Sequence, residues 1–157
     1  MSSKAAIAKP KAFDRFAEIE ELLRGFEAGT LPRAAWTHKE HLAVACWYLV
    51  CHPEPEALEK IRGGIRRYNE AVGIVTTPET GYHETITLFW ARMVKHFLRS
   101  ATLECSLIGL FNDMIAALGD RSLPFEYYTR DRLLSWEARA AWMEPDIKSL
   151  PGEHRRE

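Results

Sequence analysis

The sequence predicts an all-α domain, an irregular bundle of five or six helices around one central apolar helix. Three observations predict it. Apolar residues recur at spacings of three and four from Phe13 to Leu118, which is the period of a helix. The segment HLAVACWYLVC, His41 to Cys51, is apolar on nearly every face, and a helix of that kind belongs inside a bundle. No segment shows the two-residue alternation of a half-buried strand.

With 157 residues, 46% hydrophobic and 27% charged, the chain fits one globular domain whose core needs no disulfide staple. Residues 11–150 form that domain. Residues 1–10 are small, basic and broken by Pro10, and read as a mobile tail. Residues 151–157 end in EHRRE and read as a charged tail.

The first helix follows from Phe13, Phe16, Ile19, Leu23 and Phe26, with Gly29 as its stop and Pro32 in the loop beyond. The second starts at a capping box, Thr37 with Glu40, in which each side chain satisfies a free backbone N–H of the other. Pro53 and Pro55 end it. The third runs from about Glu56 to Ala71 with Leu58, Ile61, Ile65, Tyr68 and Val72 on its stripe. Gly63 and Gly64 weaken it, or let a neighbouring helix approach closely.

GIVTTPETGYHE is the longest loop, and it offers two helix starts. Thr77 can cap with Pro78 at the first position; alternatively Thr80 or Gly81 caps, with Tyr82, His83 and Glu84 in the first turn. A long helix then runs to about Ser100, burying Ile86, Phe89, Trp90, Met93 and Phe97. A fifth, Leu103 to Leu118, buries Leu107, Leu110, Phe111, Met114 and Ile115, and Gly119 ends it. The remainder is less regular. Ser135 is an N-cap with Glu137 in the first turn, and Pro145 closes that short helix. The core prediction is burial of Leu42, Ala45, Leu49, Phe89, Met93, Phe111 and Met114, with the five tryptophans mostly packed against them.

Composition removes several classes of function. A formal net charge of −1 supplies no general pull toward nucleic acid or an anionic membrane, so neither is an expected partner. Arg62, Arg66 and Arg67 with Lys60 read as a solvated helix face. Cys46, Cys51 and Cys105 are odd in number and lack CxxC spacing, which suits a reducing, cytoplasmic compartment. The N-terminus has no apolar core of signal-peptide length, and the run Leu42–Cys51 is too short to span a bilayer. No GxSxG, P-loop or GxGxxG is present, so no nucleotide cofactor is expected.

The chemistry-bearing residues are His38, His41, His83 and Glu84. His38 and His41 are three apart at a helix start, which puts their Cβ atoms roughly 5–6 Å apart on one face. His83 and Glu84 lie near the start of another helix. If the two starts meet, three imidazoles and a carboxylate converge. The positive end of a helix disfavours imidazolium, and neutral imidazole is the form that ligates metal. Three nitrogens and a carboxylate suit Zn²⁺, Fe²⁺, Ni²⁺ or Co²⁺. Neighbouring helical residues point about 100° apart, so His83 ligates while Glu84 orients a ligand or acts as a base. The same positions also suit histidines that merely bond free backbone groups.

Trp36 and Tyr82 precede these histidines and either wall a pocket or act as hydrophobic staples. Tyr127, Tyr128, Arg130 and Arg139 form a late polar cluster, with Arg139 either binding an anion or paired with Glu137. His52 reads as a helix-end residue and His96 as a surface one.

WTHKEHLAVACWYL, GYHETIT and YYTRDRLLSWEARAAWMEPDI together resemble a group of small, uncharacterised bacterial helical proteins. That group shares H-x-x-H-L, then Y-H-E-T, then S-x-E-A-R. The resemblance covers most of the chain from Trp36 to Asp146 and implies neither a reaction nor a cofactor.

Three functional readings follow. The first is a small metalloprotein with His38, His41 and His83 as ligands and Glu84 as a fourth ligand or general base. The second is a pocket in which these residues bind a small polar molecule or perform acid–base work. The third is a helical interaction module with structural histidines and no catalysis. The hydrophobic fraction also leaves room for an exposed apolar face, which a homodimer would cover.

Overall fold

A computed structural model describes residues 12–102 and 106–153. Both predicted tails fall wholly or partly outside these residues, as do Cys105, His154 and the predicted start of the fifth helix at Leu103. The described residues form five long helices and two single-turn ones, with no strand among them. They are α1 Phe16–Ala28, α2 His38–Cys51, α3 Glu54–Ala71, α4 Glu84–Ser100, α5 Leu107–Leu118, α6 Arg130–Leu133 and α7 Trp136–Ala140. None is long and apolar enough to cross a membrane.

The all-round apolar helix is central, as its sequence demands: α2 packs against α1, α3, α4 and α5. Leu42, Ala43, Val44, Ala45 and Cys46 are buried consecutively along it, which no amphipathic surface helix allows. Phe89, Val94, Phe111 and Met114 meet it from α4 and α5. Two expected core residues lie elsewhere. Leu49 is only partly buried, because α2 nears its end there, and Leu107 is exposed at the first residue of α5. Of the tryptophans, Trp136 is half exposed, while the other four pack against the core.

The boundaries follow local chemistry. Phe13 precedes α1 instead of joining it: its N–H donates to Asn112 Oδ1 and its carbonyl accepts from Asn112 Nδ2, both at 2.9 Å. The capping box forms, with the Thr37 N–H donating to Glu40 Oε2 at 3.1 Å. Pro55 does not end a helix but sits in the first turn of α3, where its missing N–H costs nothing. A Cβ on Gly64 would come within 2.8 Å of the Phe26 ring, so this glycine does let α1 and α3 close together.

The start of α4 differs from both sequence expectations. Its N-cap is His83, whose Nδ1 accepts the Ile86 N–H at 3.1 Å, as an asparagine oxygen would. Thr77 instead closes a turn of its own, its hydroxyl accepting from the N–H groups of Glu79 and Thr80. Gly81 then turns the chain at φ +86°, with its α-carbon against Thr76 where no side chain fits. Ser135 caps α7 as expected, accepting from the Ala138 N–H, but that helix stops at Ala140, ahead of Pro145.

Candidate functional site

The starts of α2 and α4 meet at one end of the bundle, and a cavity of about 620 Å³ opens between them. His38, His41 and His83 all line it, together with Trp36, Tyr82 and Trp90. The predicted convergence of two helix starts is therefore present. Glu84 is not in the lining of this cavity.

Each histidine is fixed by a backbone carbonyl. A carbonyl oxygen only accepts, so the ring nitrogen facing it carries the proton. His38 donates from Nε2 to Leu118 O at 3.0 Å, and His41 from Nδ1 to Thr37 O at 2.7 Å. His83 donates from Nε2 to Leu133 O at 2.8 Å while its Nδ1 accepts from Ile86. Both nitrogens of His83 are thus engaged. In neutral His38 and His41 one nitrogen stays unbonded to any described residue: Nδ1 in the former, Nε2 in the latter.

Burial keeps these rings neutral. It lowers the His41 pKa to about 4, against the opposing pull of the Thr37 carbonyl, with the nearby His38 lowering it further. His38 and His83 are lowered as well, burial again being the main cause, although their bonds to Leu118 and Leu133 oppose it. The His41 ring lies against Trp36, centroids 3.8 Å apart, and His38 lies 4.3 Å from Trp90. The wall is otherwise largely apolar, with Val44, Ile61, Ile65 and Ile86 on it. Two exposed arginines, Arg33 and Arg121, also line it.

Glu84 turns toward α3. It is buried and accepts from Arg62 Nε at 2.7 Å and from the Tyr82 hydroxyl at 2.6 Å, with Arg66 Nη2 at 3.7 Å. Tyr82 stands between this ion cluster and the cavity. Its phenol is held protonated by burial and by the Glu84 carboxylate. The basic face of α3 is accordingly not simply solvated: Arg62 anchors Glu84, and Arg66 lies over the Tyr82 ring at 4.4 Å.

A metal set does not form from these side chains. Among the described residues no three His, Cys, Asp or Glu groups are placed to hold an ion. The physical reason is visible in the bonds above: His83 has no free nitrogen and Glu84 faces another way.

Several residues of the site belong to no motif in the sequence. Arg33, Asn69 and Arg121 reach the cavity from a 3₁₀ turn, the end of α3 and the loop after α5. Arg139 has other partners than the Glu137 two residues before it: through Nη1 it bonds the carbonyls of Thr80, Gly81 and Tyr82. Tyr127 and Tyr128 belong to the core, and Arg130 lies over Phe125, so the late polar cluster does not assemble. His52 ends α2 and faces Glu56, and His96 is exposed, both as expected.

No protein-family model, curated protein or solved structure matches the chain.

Proposed function

We propose that this domain binds a small organic molecule, one with an apolar body and hydrogen-bond donors, in the cavity between α2 and α4. The observation that carries this reading is the pair His38 and His41. Both line the cavity, both are biased toward the neutral form, and each keeps one nitrogen free to accept a hydrogen bond. The size supports it, since small-molecule sites run to roughly 300–1,000 Å³ with mostly apolar walls and few polar groups. Arg33 and Arg121 would favour a ligand that also carries negative charge.

The magnitude of the His41 shift favours binding over catalysis at that residue. A general base works best with a pKa near the working pH, and an imidazole near 4 is a weak base at neutrality. Any proton transfer would fall to His38. A divalent transition metal, zinc, iron, nickel or cobalt, has less support, because only these two nitrogens are free to ligate it.

Ligand-observed NMR with a library of small aromatic and aliphatic acids, alcohols and amines tests the proposal. Hits should compete with one another and be lost in His38→Ala and His41→Ala proteins that still melt cooperatively. Metal retained by tag-free protein purified without chelator, and lost in the same variants, would favour the metal reading instead. Variants that lose stability, in a protein that captures no ligand, would leave the histidines structural.

A further inference from the structure

A second cavity, of about 490 Å³, lies on the other side of Tyr82, between the end of α3 and α7. Arg66, Asn69, Tyr82, Trp136 and Arg139 are in its wall. Two of these residues are more than nine-tenths buried. Arg139 is 9% exposed, and its Nε has no hydrogen-bond partner. Nη1 is taken up by three carbonyls, and no described carboxylate lies within ion-pair distance of the guanidinium. Asn69 is 8% exposed, and its side-chain amide makes no hydrogen bond to a described residue.

A buried cation without a counter-ion is costly, and burial does depress the Arg139 pKa. Neighbouring charge relieves it only in part: Glu79 acts on the guanidinium through space, beyond ion-pair distance. Glu84 serves two guanidiniums, with Arg62 at 2.7 Å and Arg66 at 3.7 Å. Among the described residues of the wall the one carboxylate is Glu70, which is exposed. The wall therefore combines two guanidiniums, an unpaired amide donor and the half-exposed indole of Trp136. Guanidinium N–H groups and an amide N–H₂ are the donors that recognise an oxyanion, and an indole face covers the carbon skeleton attached to it.

We propose that this cavity is an oxyanion subsite, in which Arg139, Arg66 and Asn69 hold the carboxylate or phosphate of a small ligand. It rests on Arg139 and Arg66, which line this cavity and not the first, so it stands or falls apart from the histidine site, although Asn69 and Tyr82 lie in both walls. Carboxylates and phosphates present the same accepting oxygens, and the two are separated by experiment.

The test is a titration of the full chain with sodium phosphate and, separately, sodium succinate, against sodium chloride at matched ionic strength. The readouts are the Arg139 Nε–H and Trp136 indole N–H resonances. Saturable shifts of both are expected with at least one oxyanion, and the tighter one identifies the headgroup. Arg139→Met removes the clamp on residues 80–82 and is expected to loosen the fold, so two other variants carry the test. Arg66→Gln and Asn69→Leu should each weaken binding about tenfold. Asn69→Leu should do so without loss of unliganded stability, because it removes an amide that the free protein leaves unpaired. A purely structural Asn69 would give the opposite result. Shifts that never saturate, shifts matched by chloride, or variants that titrate like the wild type overturn the proposal.

Discussion

The imidazole of His41 lies tilted against the indole of Trp36, ring centroids 3.8 Å apart, across the capping box that starts α2. The contact removes one face of the imidazole from water, and burial lowers its pKa from 6.5 to about 4. The unfolded chain therefore binds a proton that the folded protein refuses between those two values. Stability is complete above pH 6.5 and declines as the pH falls toward 4. At about 1.4 kcal/mol per pH unit the decline is at most about 3 kcal/mol. His38 and His83 are shifted the same way and add to it. Urea denaturation between about pH 8 and pH 4 checks this. The difference between the two ends should shrink in His41→Gln; equal slopes in variant and wild type would refute it.

His83 joins two elements that are fifty residues apart. Its Nδ1 accepts from the first turn of α4 and its Nε2 donates to the Leu133 carbonyl in α6. His83→Ala should therefore lose a helix cap, about 1 kcal/mol, and orphan a buried carbonyl, about 1–3 kcal/mol more. His83→Asn keeps an oxygen for the Ile86 N–H and should recover about 1 kcal/mol of the loss. Equal destabilisation by the two variants, measured by chemical denaturation, would mean that the cap contributes nothing.

The parts of this molecule that are legible in the sequence are those encoded locally. The Thr37–Glu40 capping box, the Gly29 stop and the unbroken apolar run of α2 each need only a few adjacent residues, and each is found where the sequence puts it. The α4 cap is not legible locally, because histidine caps a helix rarely and this one is held in place by Leu133, far along the chain. The meeting of His38, His41 and His83 could be anticipated from two polar helix starts. The orientation of Glu84 could not, since it depends on Arg62 arriving from α3. Arg33, Asn69 and Arg121 lack any motif and become neighbours of the histidines only through tertiary packing.

Position along α2 should grade the cost of cutting its leucines. Leu42 is 1% exposed and surrounded by core, whereas Leu49 is only partly buried near the helix end. Leu42→Ala should cost about 2–5 kcal/mol, as deletions in packed cores do, and Leu49→Ala about 1 kcal/mol, since water can fill part of its site. Denaturation midpoints of the two variants at one pH decide the point, and a larger loss at Leu49 would contradict the placement of α2.

Glu84 offers the sharpest separation of structural from functional charge. The carboxylate sits behind Tyr82, accepting from its hydroxyl and from Arg62, and does not line the histidine cavity. Glu84→Gln keeps the shape and one accepting oxygen but leaves Arg62 and Arg66 without their shared counter-ion. Hydrogen bonds to charged groups contribute about 1.5–3 kcal/mol, so a loss of about 2 kcal/mol in stability is expected. Affinity for a ligand of the histidine cavity should change by no more than about twofold, while His41→Gln should weaken it about tenfold, because only the latter removes an acceptor from the wall. Calorimetric titration of both variants with the same ligand makes the comparison. If Glu84→Gln abolished binding while its denaturation midpoint stayed at the wild-type value, the carboxylate would have to reach the ligand, and the separation drawn by Tyr82 would be wrong.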